Sequence, residues 1–399
     1  MPTALSILTA GVVGQLARGA LARVPAQAQV IDQKVFNVLD SVLPPAEAND
    51  STLFLWPEVT QKSLTDKPFH IYDDEFLDII GSDPSLTLIA TSKSDPIFHE
   101  AVVWYPPKNE VFFVQNAGAP AAGTGLNKSS IIQKVSLDEA EAVRNSSRSS
   151  EVTVTVVPSN PQVINPNGGT NYKGQIIFAG EGQGDDVASA LYLMNPEKPY
   201  NTTVILNNYF GRQFSSLNDI AIHPRNGDIY FTDTLYGYLQ DFRPVPGLRN
   251  QVYRFNPTTG AVTVVADGFT LPNGIGFSPD GHHAYVTDTG SNMGFLGRNL
   301  SNPASVFDVE KDGTWQNRKT FAYVAAGVPD GVHCDSKGYV YGGCGDGVHV
   351  WNPSGKLIGK IYTGTTAANF QFTGPGRMIV TGQTKLFYVT IAASGLALT

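Results

Sequence analysis

The chain repeats itself. Units of about fifteen residues, each reading strand, turn, strand and each opening on an acid or an amide, recur at intervals of about 40–70 residues. Asn218 opens NDIAIHPRNGDIYFTD, Asn273 opens NGIGFSPDGHHAYVTD, Asp330 opens DGVHCDSKGYVYGGCG and Glu100 opens EAVVWYPPKNEVFFVQ. Two weaker copies begin at Asn167, NGGTNYKGQIIFAGEG, and at Asn369, NFQFTGPGRMIVTGQT. A hairpin repeat of this length is what the blades of a β-propeller leave in a sequence, and six copies predict an all-β, six-bladed β-propeller.

The unit at Asn218 shows why the opening residues matter. Residues 219–223 read as a strand, 224–227 as a Pro- and Gly-containing turn, and 228–232 as the returning strand. A hairpin brings the chain back to where it started, and the first strand of each blade lines the central channel. Six blades therefore set six opening side chains around one mouth. Taken singly, Asn-Gly and Asp-Gly are ordinary turn dipeptides. Their recurrence at one point of successive units argues for a shared site.

Composition agrees with this fold. Charged residues make up only 16% of the 399, with 40 Gly and 26 Pro, which suits a turn-rich β protein. Short helices are expected at 72–81 and 137–144. Residues 29–83 precede the first blade and are expected to pack as an extension on the propeller, which itself occupies 84–399. The stretch 84–92 reads as a strand that pairs with 384–392, so that the chain ends close the ring and remove two open edges. The net charge of −8 and the lack of a basic cluster speak against nucleic acid. No apolar run after the N-terminus is long enough to span a membrane.

Residues 1–28 read as a signal peptide, with an apolar stretch at 4–22 and an Ala-x-Ala site before Gln29. The alternative is an N-terminal arm. Five Asn-x-Ser/Thr sequons, at Asn49, Asn127, Asn145, Asn201 and Asn299, favour secretion. Cys334 and Cys344 are expected to be free and buried. A turn at 335–338 sets Cys344 opposite residue 329, and five strand residues at about 3.3 Å each are beyond disulfide reach.

Glu100, Asn218, Asn273 and Asp330 form an oxygen-only donor set with two negative charges. Hard divalent cations take such ligands, and Ca²⁺, which accepts six to eight oxygens, suits it best, with Mg²⁺ or Mn²⁺ as alternatives. Four protein ligands leave positions for water and substrate, as a catalytic ion requires. An ion that only ties the blades together is the other possibility. No Gly-x-Ser-x-Gly and no His-Glu-x-x-His occurs. His99 and His333 adjoin candidate ligands, but alternation along a strand turns them to the opposite face, as packing groups or as supports behind the ligands.

These segments resemble the family that groups senescence marker protein, gluconolactonase and luciferin-regenerating enzyme, in its fungal lactonohydrolase branch. The strongest pieces are LNDIAIHPRNGDIYFTDTLYG, LPNGIGFSPDGHHAYVTDTG and VPDGVHCDSKGYVYGG. The resemblance implies a six-bladed propeller with one divalent ion held at the positions of Glu100, Asn218, Asn273 and Asp330. The family's second-blade Asn-Gly matches Asn167-Gly168, which makes Asn167 a substrate contact or an outer ligand; Asp219, Glu181 and the rim residue Tyr236 are further candidate substrate contacts. Two departures stand out. The family's Glu-Gly-Pro-x-Trp is here Glu100-Ala101-Val102-Val103-Trp104, and Ser216 stands where animal members carry Arg.

The expected activity is hydrolysis of a small lactone, of aldonate or pantoyl type. The cation polarises the carbonyl, water attacks, and Asp330 acts as general base beside the catalytic carboxylate Glu100. Hydrolysis of phosphorus esters or fluorides and a non-catalytic binding propeller are the rival readings. The partner expected is the small-molecule substrate, and a homodimer is compatible.

Overall fold

A computed structural model describes residues 24–42, 55, 59–146, 150–290 and 303–397. Six antiparallel sheets stand in a ring, each running from an inner strand outwards. The first blade consists of Glu100–Tyr105, Glu110–Val114, Ile132–Ser136 and Thr155–Val157. The second is Pro166–Tyr172, Gln175–Gly180, Ala190–Met194 and Thr202–Leu206. Leu217–Ile222, Ile229–Asp233, Gln251–Phe255 and Val262–Ala266 make the third. The fourth has Pro272–Phe277, His283–Asp288, Pro303–Val309 and Trp315–Tyr323. The protein is thus the all-β, six-bladed propeller that the repeats predict.

The fifth and sixth blades carry the ring closure. Val332–Cys334, Val340–Cys344, Gly347–Trp351 and Leu357–Tyr362 form the fifth. In the sixth, Asn369–Phe372, Arg377–Gly382 and Lys385–Thr390 are completed by Ser85–Thr91 from the other end of the chain. Leu386 faces Ala90 and Val389 faces Leu86 across this seam. A β-ring shut by its own termini leaves no edge open at the junction.

The fifth sheet is wider than the others. Phe69–Ile71 adds antiparallel to Leu357–Tyr362, and Ala28–Val30 adds parallel to Phe69–Ile71. The helix Glu75–Ile80 then lays Phe76 on Gly359, where a side chain on the strand would overlap the ring. Phe76, Ile79 and Ile80 are buried with Tyr341, Ile358 and Phe370. Each such side chain contributes about 1.5–3 kcal/mol of burial. Ala28, the residue before the expected cleavage point, is buried and begins a strand. The rest of that segment, 1–23, lies outside the described residues, as do Asn49 and Asn299.

The helices expected at 72–81 and 137–144 are Glu75–Ile80 and Leu137–Arg144. Cys334 and Cys344 are free and buried. Their register differs by one residue from expectation. Val332 faces Gly342 and the Asp330 amide donates to the Gly343 carbonyl, so Cys344 falls opposite 330 rather than 329. The cause is the turn: Asp335 accepts from the amides of Lys337 and Tyr339, which makes a five-residue turn instead of four.

Candidate functional site

Every inner strand of the first four blades breaks its ladder where the opening residue sits. Register slips between Glu100 and Val103, between Pro166 and Gly169, between Leu217 and Ile220, and between Pro272 and Ile275. A bulge of this kind re-aims side chains that regular pleating would send into a sheet. The acids that end the hairpins fix the incoming loops. Asp233 accepts from the amides of Ser215 and Ser216, and Asp288 from those of Thr270 and Leu271. The starts of successive inner strands are thereby held at one end of the channel.

That end contains a cavity of about 370 Å³. Glu100, Asn167, Asn218, Asn273, Asp330 and Tyr236 all line it. Among the described residues a larger cavity of about 480 Å³ opens elsewhere on the inner strands, walled by Ile220, Ile275, Phe277 and Leu396 with His333. It holds none of the six residues named for the first cavity and its walls are mostly apolar, so the chemistry resides in the smaller one.

Three oxygens in the cavity wall have no hydrogen-bond partner: Oδ1 of Asn167, of Asn218 and of Asp330. Buried polar atoms are almost always satisfied, so three orphans at one place indicate something they are meant to meet. Asn273 lines the same wall, with its side-chain amide near Asp330 and Tyr236. Burial pushes the Asp330 carboxyl up to about 7, with the Asp219 charge adding to it. Burial also raises Glu100 well above the usual carboxylate range, and Asp330 raises it further. Two acids are therefore held where neither ionises easily alone.

Asp219 and Glu181 are placed differently from Asn167 and Tyr236: neither lines the cavity. Asp219 accepts from the amides of Ile220 and Ile275, which ties the third blade to the fourth. Glu181 accepts from Asn167 Nδ2 at 3.0 Å and from the Ser216 hydroxyl. Both are lifted to about 7 by burial. Ser216, at the position that departs from the animal pattern, thus holds Glu181 and does not reach the cavity.

His99 is the clearest difference from expectation. It lines the cavity, with Nε2 3.8 Å from Glu100 Oε1 and Nδ1 unpartnered. It precedes the strand and the bulge, so strand alternation does not govern it. Burial lowers its imidazole to about 4. Asn116, Gln240, Thr366 and Gln383 also line the wall. They come from loops and hairpin ends, where the repeat carries no signal.

Comparison with known proteins agrees with the fold. The sequence profile described as the SMP-30/Gluconolactonase/LRE-like region matches residues 135–384. A protein of Aspergillus oryzae named lactonohydrolase oryH is 28% identical over 370 residues, covering 74% of this chain and 74% of that one. A solved gluconolactonase from Xanthomonas campestris superposes with a TM-score of 0.64 at 23% identity, over 81% of this chain and 94% of that one. A calcium-binding protein, regucalcin, from Agrobacterium tumefaciens shares the fold with a TM-score of 0.54 at 15% identity, over 78% and 96% of the two chains. With more than half of its length inside the family profile, the chain belongs to the SMP-30/gluconolactonase/LRE-like family.

Proposed function

We propose that the protein is a hydrolase that opens a small lactone, of aldonate or pantoyl type, at the cavity of Glu100 and Asp330. The observation that carries this reading is the meeting, at one channel mouth, of two carboxyls raised by burial, Glu100 further by Asp330, with the unpartnered amide oxygens of Asn167 and Asn218. The relatives named lactonohydrolase and gluconolactonase support the same reaction.

The donor set also suits a divalent cation. Glu100, Asn218, Asn273 and Asp330 would hold it, and all four offer oxygen, the donor that Ca²⁺, Mg²⁺ and Mn²⁺ prefer. The orphan oxygens of Asn218 and Asp330 fit such a guest. Positive charge between the two acids would return both to the ionised form. Ca²⁺ is favoured, in line with the calcium-binding neighbour. A bound cation would supply Lewis-acid polarisation of the lactone carbonyl.

The protein's own groups do the rest. Asp330 takes a proton from the attacking water, since a carboxylate that holds a cation through one oxygen has a second oxygen to offer. The Tyr236 hydroxyl stays protonated, because burial and the Asp330 charge raise it, and its hydrogen bond to Thr289 Oγ1 holds the ring at the wall beside the substrate. The Asn167 oxygen, oriented by Glu181, accepts from a substrate hydroxyl. The exposed sequons at Asn127, Asn145 and Asn201 are consistent with passage through the secretory pathway.

The test compares Glu100→Gln and Asp330→Asn with the parent protein on a panel of lactones, by pH-stat, before and after chelation and Ca²⁺ return. Each variant should lose at least ~100-fold in kcat/KM, about 3 kcal/mol of transition-state stabilisation. Full activity in either variant at saturating cation would refute the assignment.

A further inference from the structure

We infer that Asn369, from the weakest of the six repeats, is a positioning residue that makes Glu100 present one oxygen, Oε1, to the cavity. This rests on the reading of the site given under Proposed function and concerns a residue that does not itself line the cavity.

Asn369 opens the sixth blade, which lies in the ring between the blade of Asp330 and the blade of Glu100. Its Nδ2 donates to Glu100 Oε2 at 2.7 Å. The bond spans 269 residues of sequence and crosses from one blade to the next. Its Oδ1 accepts from the Phe370 amide at 2.7 Å, so the side-chain amide is fixed at both ends. His333 stands edge-on to Phe370 with ring centres 5.1 Å apart, which packs the residue next to Asn369.

The other face of the amide meets Asp330's own neighbour. A side chain on Gly331 would come within 2.9 Å of Asn369 Cγ and 3.1 Å of Nδ2. The Gly331 amide donates to the Ala368 carbonyl at 3.0 Å. The glycine after Asp330 is therefore there for close approach: it lets the Asn369 amide lie against the backbone next to Asp330. Asn369 is 4% exposed and Glu100 3%, so the bond is shielded from bulk solvent. With Oε2 held by Asn369, the carboxylate keeps one rotation and leads with Oε1 towards whatever the cavity holds, whereas one that turned freely would present either oxygen or both.

Two variants remove this restraint by different routes. Asn369→Leu deletes the donor at similar volume, and Gly331→Ala pushes the amide aside without touching it chemically. Ca²⁺ affinity is measured by calorimetric titration of the purified full chain without substrate. Both variants should bind Ca²⁺ about 10–100-fold more weakly than the parent, the usual consequence of losing a partner that orients a ligand. Affinity within threefold of the parent in both would overturn the inference.

A double-mutant cycle provides a readout that needs no cation. In a Glu100→Gln background, Asn369→Leu should cost less than threefold in kcat/KM on a lactone, against tenfold or more in the parent. Equal costs in both backgrounds would mean that Asn369 acts on general packing and not through Glu100. If the parent binds no Ca²⁺, the cation reading falls while the cycle still decides Asn369. If the parent opens no lactone, the titration decides it.

Discussion

Thr287 Oγ1 donates to the backbone carbonyl of Asp330 at 2.7 Å, although the two residues belong to neighbouring blades. The same brace recurs around the ring. Thr232 Oγ1 donates to the Asn273 carbonyl at 2.8 Å, and Thr381 Oγ1 to the His99 carbonyl at 2.8 Å. Each threonine stands one residue before the end of a second strand, in YFTD, YVTD and IVTG. The hydroxyl of one blade thus sets the height of the site residue, or its neighbour, in the next. Thr287→Val keeps the shape and leaves the Asp330 carbonyl without this donor. It should cost about 1–3 kcal/mol and weaken Ca²⁺ binding severalfold, whereas Thr287→Ser should stay near the parent. Thermal unfolding and calcium titration check both.

This brace indicates what a reader of the sequence could and could not find. Asn218, Asn273 and Asp330 stand out because their hairpins repeat, and hairpin geometry then puts them at one mouth. The seam between Ser85–Thr91 and Lys385–Thr390 was legible for a similar reason: both ends read as strands with nothing else to pair them. His99 was misread because alternation holds only inside a regular ladder, and the first blade begins with a bulge. Asn369 was visible as a weak copy, but its bond to Glu100 depends on two blades meeting across the ring closure. Asp219 and Glu181 sit beside site residues in sequence, yet their carboxylates are occupied by Ile220, Ile275, Asn167 and Ser216, which no pattern reveals.

Ala101 follows Glu100 with φ at 51°, in the left-handed region, and is fully buried. An L residue with a Cβ is strained there by about 1–2 kcal/mol. Glycine removes that strain and gives back part of it as unfolded-chain entropy. Ala101→Gly should therefore stabilise the protein by about 0.5–1 kcal/mol, read from denaturant midpoints. This is also the position where the related pattern has glycine. A loss of stability would mean that the Ala101 methyl, packed beside Gly169, contributes more than its backbone costs.

His70 ties stability to acid pH. It is 2% exposed, its Nε2 bonds the Leu64 carbonyl at 3.1 Å, and its ring stacks on Tyr362 with centres 5.1 Å apart. Burial lowers its imidazole from 6.5 to about 4. The folded form is thus the neutral one. Its contribution is fully present above pH 6.5 and is lost progressively as pH falls towards 4, because the unfolded chain takes the proton first. The complete shift corresponds to about 3 kcal/mol. His70→Phe keeps the stacking and removes the titration. Its stability, measured by denaturant unfolding at several pH values from 7.5 to 4.5, should fall less steeply than the parent's. An unchanged slope would show that the pH dependence comes from other buried groups of the same sign, such as His99 and His333.

The cavity wall selects against charge on the substrate. Its lining includes Asn116, Asn167, Gln240, Thr366 and Gln383, and no Lys or Arg is among the described residues that line it. A divalent cation held by Glu100 and Asp330 would already be neutralised by them, so an added carboxylate or phosphate would meet amides and two acids with no net positive charge to offset its desolvation. Amide and hydroxyl groups instead both donate to and accept from substrate hydroxyls. An uncharged hydroxylated lactone should therefore be opened at least ~10-fold more efficiently, in kcat/KM, than the same ring bearing a carboxylate or a phosphate, a difference of about 1.4 kcal/mol. The comparison should be run at two ionic strengths. A gap that closes in high salt would trace it to long-range repulsion by the net negative chain, and a gap that persists would trace it to the wall itself.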